Sequence, residues 1–193
     1  MRRLGTIIAR AEKAQEGSKT RELTGSWAAA CCWVGRAMSA YHVLVAAGLL
    51  LLVPVAHNSV HLGFALLLTF MLYPAAKQHR GRVTLVDVLW LALGLLAVGY
   101  TFYMQQFQQD TIIYRAGETT ALELILGVVA IAVVLEASRR VMGWPLVIIA
   151  VAFLLYGHVS RYLPGPLHTA GFGFERIINH IFVSGNGIWG MVL

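Results

Sequence analysis

The chain has 193 residues, of which 58% are hydrophobic and 12% are charged, and its formal net charge is +6. In soluble domains about a quarter of the residues are charged, so this composition excludes an ordinary soluble domain and favours a helical membrane protein. The basic residues lie beside apolar segments, where they meet anionic lipid headgroups, so the positive charge predicts a lipid bilayer and no nucleic acid as the partner.

Five apolar stretches, each about the length that a helix needs to cross a bilayer, follow one another along the chain. They lie at residues 37–56, 57–76, 85–104, 119–135 and 141–160. The first two form one uncharged run, in which Pro54 and the polar residues 57–59 are the expected break. The sequence therefore predicts an all-α integral membrane bundle of about five transmembrane helices.

Basic residues flank these stretches mainly on one side. Of the 15 Lys and Arg residues, all but Arg115, Arg161 and Arg176 lie in the tail 1–36, between stretches two and three, or between stretches four and five. Because cationic loops are retained in the cytoplasm, this pattern predicts a cytoplasmic basic tail at 1–36 and a multi-pass protein.

The third stretch carries a carboxylate, Asp87, in its first turn. A negative charge there stabilises the helix N-terminus, and Arg82 or Arg80 is expected to pair with it. We therefore interpret Asp87 as a capping and pairing residue.

The polar connection 105–118 follows on the opposite side of the membrane. It contains Asp110, Arg115 and Glu118 and is long enough to contact another protein. These three side chains are the predicted contacts with a partner.

The fourth stretch contains one carboxylate, Glu123, within a helical stripe of small residues: Thr119, Gly127, Ala130, Val134 and Ala137. Small residues allow helices to approach closely, and an ionisable group inside a membrane is a functional candidate. Glu123 is expected near the outer interface, where hydration is available. This position favours helix packing and polar anchoring over proton or ion handling.

At the other end of this stretch, Arg139 and Arg140 follow Glu136 at i+3 and i+4, which predicts a structural ion pair. Beyond the fifth stretch, apolar residues at 174, 177, 178, 181 and 182 predict an amphipathic helix, lying at the outer interface or packed on protein. Residues 188–193 look like the opening of a sixth apolar stretch that is cut short.

Histidines offer the one alternative chemistry. His57 and His61 are one turn apart, but no third ligand is evident, so no metal site is predicted. His42 is placed near the inner end of the first stretch, at a different depth from His61. His61 and His158 both lie toward the outside, which leaves a small haem or quinone redox subunit as an alternative. No catalytic motif or nucleotide fingerprint appears, so neither an enzyme nor a cofactor is predicted.

Several short motifs resemble one family of transporters. They are RAG at 115–117, LELILG at 122–127, LEASRRVMG at 135–143, YG at 156–157, YLPG at 162–165, RII at 176–178 and GIWG at 187–190. They resemble the fused permeases of tripartite ATP-independent periplasmic (TRAP) transporters, in the branch that pairs with TAXI-type binding proteins. The specific part of the resemblance covers about 115–193, and earlier residues match only in hydropathy and in the order of spans.

The resemblance implies a bacterial inner-membrane protein that takes up organic acids. A soluble periplasmic protein delivers the substrate, a sodium or proton gradient drives uptake, and a small four-span unit, here 37–137, is a scaffold for a large transport unit that begins within 138–193. The polar segments 105–118 and 172–183 are the expected contacts with the binding protein. The substrate and ion sites of the family belong to the large unit, so no binding residue is assigned here. A stand-alone membrane scaffold is the remaining alternative.

Overall fold

The computed structural model describes residues 20–21, 23–79, 81–115, 118–185 and 187–190. These residues form no strand and seven α-helices: α1 Ser26–Ala46, α2 Pro54–Leu72, α3 Leu85–Phe107, α4 Gln109–Tyr114, α5 Ala121–Val141, α6 Trp144–Val159 and α7 Phe174–Ile178. Most of the predicted tail lies outside the described residues. So does the end of the predicted sixth stretch, whose residues 188–190 form a turn.

Four helices are long and apolar enough to cross a membrane: Pro54–Leu72, Leu85–Phe107, Ala121–Val141 and Trp144–Tyr162. In the last of them, α6 continues as the 3₁₀ turn Ser160–Tyr162. These helices confirm the apolar stretches two to five. The protein is an all-α helical membrane bundle.

The first predicted stretch is wrong in its bounds. Helix α1 begins at Ser26, within the predicted tail, and ends at Ala46, so residues 47–53 are not helical. Gly48 adopts a left-handed backbone with φ of 70°, which ends the helix, and Pro54 begins α2, where its missing N–H costs little. Of the residues predicted to form the break, Pro54 marks the start of α2, whereas 57–59 lie inside that helix. Helix α1 is not among the four helices that meet the length and hydropathy requirements.

Helix α1 runs antiparallel along α2. The backbone N–H of Arg21, just before α1, donates to the carbonyl of Leu72 at the end of α2 over 2.7 Å. Near the other end, Tyr41 and His42 contact the first turns of α2. No residue of α1 is buried, so this helix lies on the rim of the bundle.

Helices α2, α3 and α5 form the core, around Phe70, Val98 and Val133. Glycine allows the close approach of these helices: a Cβ at Gly94 would stand 3.0 Å from Leu66 and 3.1 Å from Val133. The small-residue stripe predicted on α5 contributes in the same way. Its Gly127 and Ala130 are buried, and Gly127 lies against the C-terminal segment.

The C-terminal segment packs on α5. Helix α7 continues as a π-helical turn, Asn179–Val183, and Ile178 and Phe182 are buried against Gly127. The indole N–H of Trp189 then donates to the carbonyl of Phe182 over 2.6 Å. The predicted amphipathic helix is thus confirmed, and its apolar face packs on protein through Ile178 and Phe182, whereas Phe174 is exposed.

Candidate functional site

The first buried polar cluster, which we name the Glu123 cluster, consists of Tyr100, Arg115, Thr120 and Glu123. Thr120 caps α5, and its side chain and backbone N–H donate to Oε2 of Glu123 over 2.9 and 2.8 Å. The backbone N–H of Glu123 donates in return to the hydroxyl oxygen of Thr120 over 3.3 Å. This reciprocal arrangement is a capping box, which is favoured where Thr precedes Glu by three residues at a helix start. The same carboxylate accepts hydrogen bonds from Arg115 on both oxygens and from the hydroxyl of Tyr100 over 3.0 Å.

These contacts leave the carboxylate of Glu123 unable to accept a further hydrogen bond. It accepts five hydrogen bonds, and an ionised carboxylate offers about four lone-pair sites. Glu123 is 1% exposed, so the expected hydration near the interface is wrong. Its hydrogen bonds raise the pKa of Arg115, so the guanidinium stays charged. In this cluster, Arg115 neutralises the charge of Glu123, and the hydrogen bonds anchor the first turn of α5.

The second buried polar cluster, the Asp87 cluster, consists of Arg21, Asp87, Glu136, Arg139 and Arg140. Asp87 accepts from the backbone N–H and the hydroxyl of Thr84, both over 2.8 Å, which confirms it as a capping residue of α3. Its carboxylate also binds Arg21, and its Oδ1 lies 2.5 Å from Nη1 of Arg140. Of the two predicted partners, Arg82 is exposed and Arg80 lies outside the described residues. The partners that the structure describes for Asp87 are Arg21 and Arg140.

Glu136 connects to the same cluster. Arg139 binds it through Nε over 2.7 Å and Nη2 over 2.8 Å, and Arg140 binds it through Nε over 2.8 Å. The predicted ion pair is therefore confirmed. Because Arg140 also binds Asp87, it joins the end of α5 to the start of α3.

Arg21 closes the cluster from outside the helices. Its Nη1 donates to the carbonyls of Phe70 and Met71 over 2.8 and 3.0 Å, and its Nε donates to that of His79 over 3.3 Å. The last carbonyls of a helix have no partner within the helix and carry partial negative charge, so a cation stabilises them. Arg21 thus caps the C-terminus of α2 and binds Asp87 at the same time.

The Asp87 cluster contains three cations and two anions. The guanidinium of Arg140 stacks on the ring of Phe70 at 4.6 Å, and its Nη2 is buried without a hydrogen-bond partner among the described residues. Only Arg139 of the three is partly exposed, so it is the cation of this cluster that can meet anionic lipid headgroups. The cluster holds no free carboxylate that could act as a base.

A third group of polar side chains, the histidine cluster, joins α1 to α2. It consists of Tyr41, His42, His57 and His61, all half-buried. The Tyr41 hydroxyl lies 2.9 Å from Nδ1 of His57, and Nε2 of His42 lies 2.9 Å from Nδ1 of His61. The predicted difference in depth between His42 and His61 is therefore wrong.

The other predicted histidine, His158, donates from Nδ1 to the carbonyl of Phe172 over 3.0 Å, on the far side of α6. No three His, Cys, Asp or Glu side chains among the described residues are arranged to hold a metal ion. The structure brings His61 to His42, whereas His158 contacts the segment before α7.

The three residues predicted as partner contacts differ in exposure. Asp110 and Glu118 are exposed. Arg115 is 22% exposed and is bound to Glu123, so its first role is internal. Of the segment 172–183, Glu175 and Arg176 are exposed, whereas Ile178 and Phe182 are buried.

An apolar groove of about 650 Å³ lies between α5, α6 and the C-terminal segment, and Phe153, Val134 and Ile188 are among its lining residues. Helix α6 itself has no buried residue. His180 is the one titratable side chain in the lining among the described residues. Apart from His180, the groove offers an apolar surface.

Comparisons with protein-family models, curated proteins and solved structures find no match to this chain.

Proposed function

We propose that the chain is the N-terminal membrane part of a fused TRAP-type permease and that it acts as the scaffold of the transporter. One observation carries this proposal. The motifs that resemble the family supply the residues that close the buried ion pairs, namely Arg115 with Glu123, and Glu136 with Arg139 and Arg140. Ion pairs that join helix ends fix the positions of the helices, which is what a scaffold requires.

The pairing of the carboxylates supports a static role over ion coupling. Asp87, Glu123 and Glu136, the acidic residues of the four long apolar helices, are each bound to at least one arginine. A carboxylate that binds and releases a coupling cation needs oxygen atoms free to coordinate it, and these three carboxylates are bound to arginine. We therefore assign the sodium or proton site, and the organic-acid site, to the large transport unit.

The placement of charge supports a bacterial inner membrane with the N-terminus in the cytoplasm. Arg21, Arg139 and Arg140 gather at one end of the bundle, with exposed Arg82 in the adjacent connection. Arg115 lies at the other end of α5. The positive-inside rule assigns the more cationic end to the cytoplasm.

The proposed partners occupy different surfaces. Exposed Asp110 and Glu118 would contact the periplasmic TAXI-type binding protein. The large transport unit would pack on α6, because this apolar helix of 16 residues has no buried residue of its own. Lipid covers the remaining apolar surface.

The test is uptake by cells of the source bacterium that lack the gene. Deletion should abolish gradient-dependent uptake of at least one labelled carboxylic acid from a panel, and a plasmid copy should restore it. An ionophore that collapses the sodium or proton gradient should have the same effect as the deletion. Uptake of the whole panel at the normal rate in the deletion strain would overturn the proposal, and a Soret band in the purified protein would support a redox subunit instead.

A further inference from the structure

We propose that the histidine cluster is a two-proton latch, which holds α1 against α2 at neutral pH and releases it when both His42 and His61 are protonated. The proposal concerns the conformation of this chain and does not depend on the transport function. It rests on the hydrogen-bond roles that the geometry assigns to each ring nitrogen.

The roles follow from one backbone carbonyl. Nδ1 of His42 lies 2.7 Å from the carbonyl oxygen of Met38, and a carbonyl can only accept, so this nitrogen carries a proton. A neutral imidazole has one N–H, so Nε2 of His42 is an acceptor. Nδ1 of His61, 2.9 Å away, is therefore the donor to it.

Protons at the two rings have different effects. A proton added to His61 enters at Nε2, on the opposite side of its ring, and leaves the N–H···N bond to His42 intact. When His42 is protonated as well, the proton enters at Nε2, the acceptor itself. Two N–H groups then face each other, the hydrogen bond is lost, and two cationic rings stand 5.0 Å apart.

Nothing nearby compensates this charge. The third ring, His57, lies 5.4 Å from His42, and no carboxylate is within ion-pair distance of the cluster among the described residues. The connection 47–53 has no titratable group. The titratable groups of the two packed helices are neutral or cationic: Cys31, Cys32, Arg36, Tyr41 and His42 on α1, and His57 and His61 on α2. The nearest carboxylate along α2 and α3, Asp87, is committed to Arg21 and Arg140.

Helix α1 depends on this cluster for its position. It has no buried residue, and the two side-chain hydrogen bonds that join it to α2 within the described residues both include a histidine. The connection after it bends at Gly48, which adopts a left-handed conformation that few other residues accept. Loss of the His42 bond therefore loosens the C-terminal half of α1, which keeps only the Tyr41–His57 bond to α2 among the side-chain hydrogen bonds of the described residues, while Arg21 still binds the end of α2.

Hydrogen–deuterium exchange of the whole chain in lipid nanodiscs tests the latch. The key variant is His42→Gln, whose side-chain oxygen accepts a hydrogen bond in place of Nε2 and does not titrate. At pH 7.5 the amides of residues 38–46 should exchange equally in both proteins. At pH 5 they should exchange about tenfold faster in the wild type than in the variant, since comparison at one pH cancels the intrinsic exchange rate.

The matched control is His158→Gln, because His158 bonds to Phe172 and lies away from α1. It should follow the wild type at both pH values. Equal exchange of wild type and His42→Gln at pH 5, whether slow or fast in both, would overturn the latch, as would loss of the acid response in His158→Gln.

A second measurement needs no variant. In protein labelled with ¹⁵N-histidine, NMR detects the coupling across the His42–His61 N–H···N bond and the protonation of each ring. The coupling should vanish when both rings are protonated and at the pH where α1 begins to exchange rapidly. Persistence of the coupling at that pH would also overturn the proposal.

Discussion

Arg115 binds both carboxylate oxygens of Glu123, with Nη1 2.9 Å from Oε2 and Nη2 2.8 Å from Oε1. The two partners are not equally enclosed, since the side chain of Arg115 is 22% exposed and that of Glu123 is 1% exposed. Removal of one partner leaves the other in a different environment. Loss of Arg115 and loss of Glu123 should therefore lower the stability of the protein by different amounts.

The first prediction follows from this asymmetry. Arg115→Ala leaves a buried carboxylate without its cation and should lower the free energy of unfolding by about 3 kcal/mol. Glu123→Gln leaves an arginine that can turn toward water and should cost about 1 kcal/mol. Unfolding by SDS titration in mixed micelles measures both, and a larger loss for Glu123→Gln would contradict the asymmetry.

The second prediction concerns Arg21, which binds Asp87 and caps the end of α2. Arg21→Ala removes the hydrogen bonds to Asp87 and to the last carbonyls of α2, while Arg140 still pairs with Asp87, and should cost about 1–3 kcal/mol. Arg82→Ala is the matched control, since Arg82 is exposed in the connection between α2 and α3 and should change stability by less than about 0.5 kcal/mol. Equal losses in the same SDS titration would contradict the assignment of Arg21 as the buried partner of Asp87.

The third prediction concerns the contact of α5 with the C-terminal segment. A Cβ at Gly127 would overlap a methyl group of Ile178 and stand 3.2 Å from Cβ of Phe182. Gly127→Ala should therefore lower the free energy of unfolding by about 1–3 kcal/mol through overpacking.

A second glycine on a spanning helix provides the control. Gly99 on α3 has no atom within 4 Å of the position of a Cβ. Gly99→Ala should be neutral or stabilise the protein by up to about 1 kcal/mol, because alanine favours the helix. If both substitutions stabilise, the C-terminal segment does not pack on α5.

The fourth prediction tests the proposed contact with a binding protein. Asp110→Asn combined with Glu118→Gln should lower binding-protein-dependent uptake severalfold, with unchanged membrane insertion and stability, because both side chains are exposed. Arg115 is left intact, since its loss would also break the pair with Glu123. Normal uptake in this double variant would exclude the contact.

The sequence predicts the four apolar helices because length and hydropathy alone decide whether a segment suits a bilayer. It also predicts the pair of Glu136 with Arg139 and Arg140, because residues three and four apart meet on any helix. It predicts the capping role of Asp87 as well, because a carboxylate in the first turn stabilises a helix start. These features depend on local geometry and need no knowledge of the fold. The capping box of Glu123 is local too, but Glu123 was interpreted as a packing and anchoring residue.

The contacts that sequence reasoning missed join distant parts of the chain. Arg21 and Asp87 are 66 residues apart, and no periodicity connects them. The meeting of His42 with His61 was missed for another reason. The uncharged run 37–76 hides the end of α1, and placing the break at 57–59 instead of 47–53 shifted the predicted depth of His42 relative to α2.

The position of Arg21 ahead of the helices has a consequence for biogenesis. A ribosome adds Arg21 before Asp87, but it does not reach Arg140 until 53 residues after Asp87. When α3 enters the bilayer, Arg21 is already present to neutralise its carboxylate, whereas Arg140 can arrive only after α5 has been synthesised. The nascent chain thus carries its own counter-ion to the translocon.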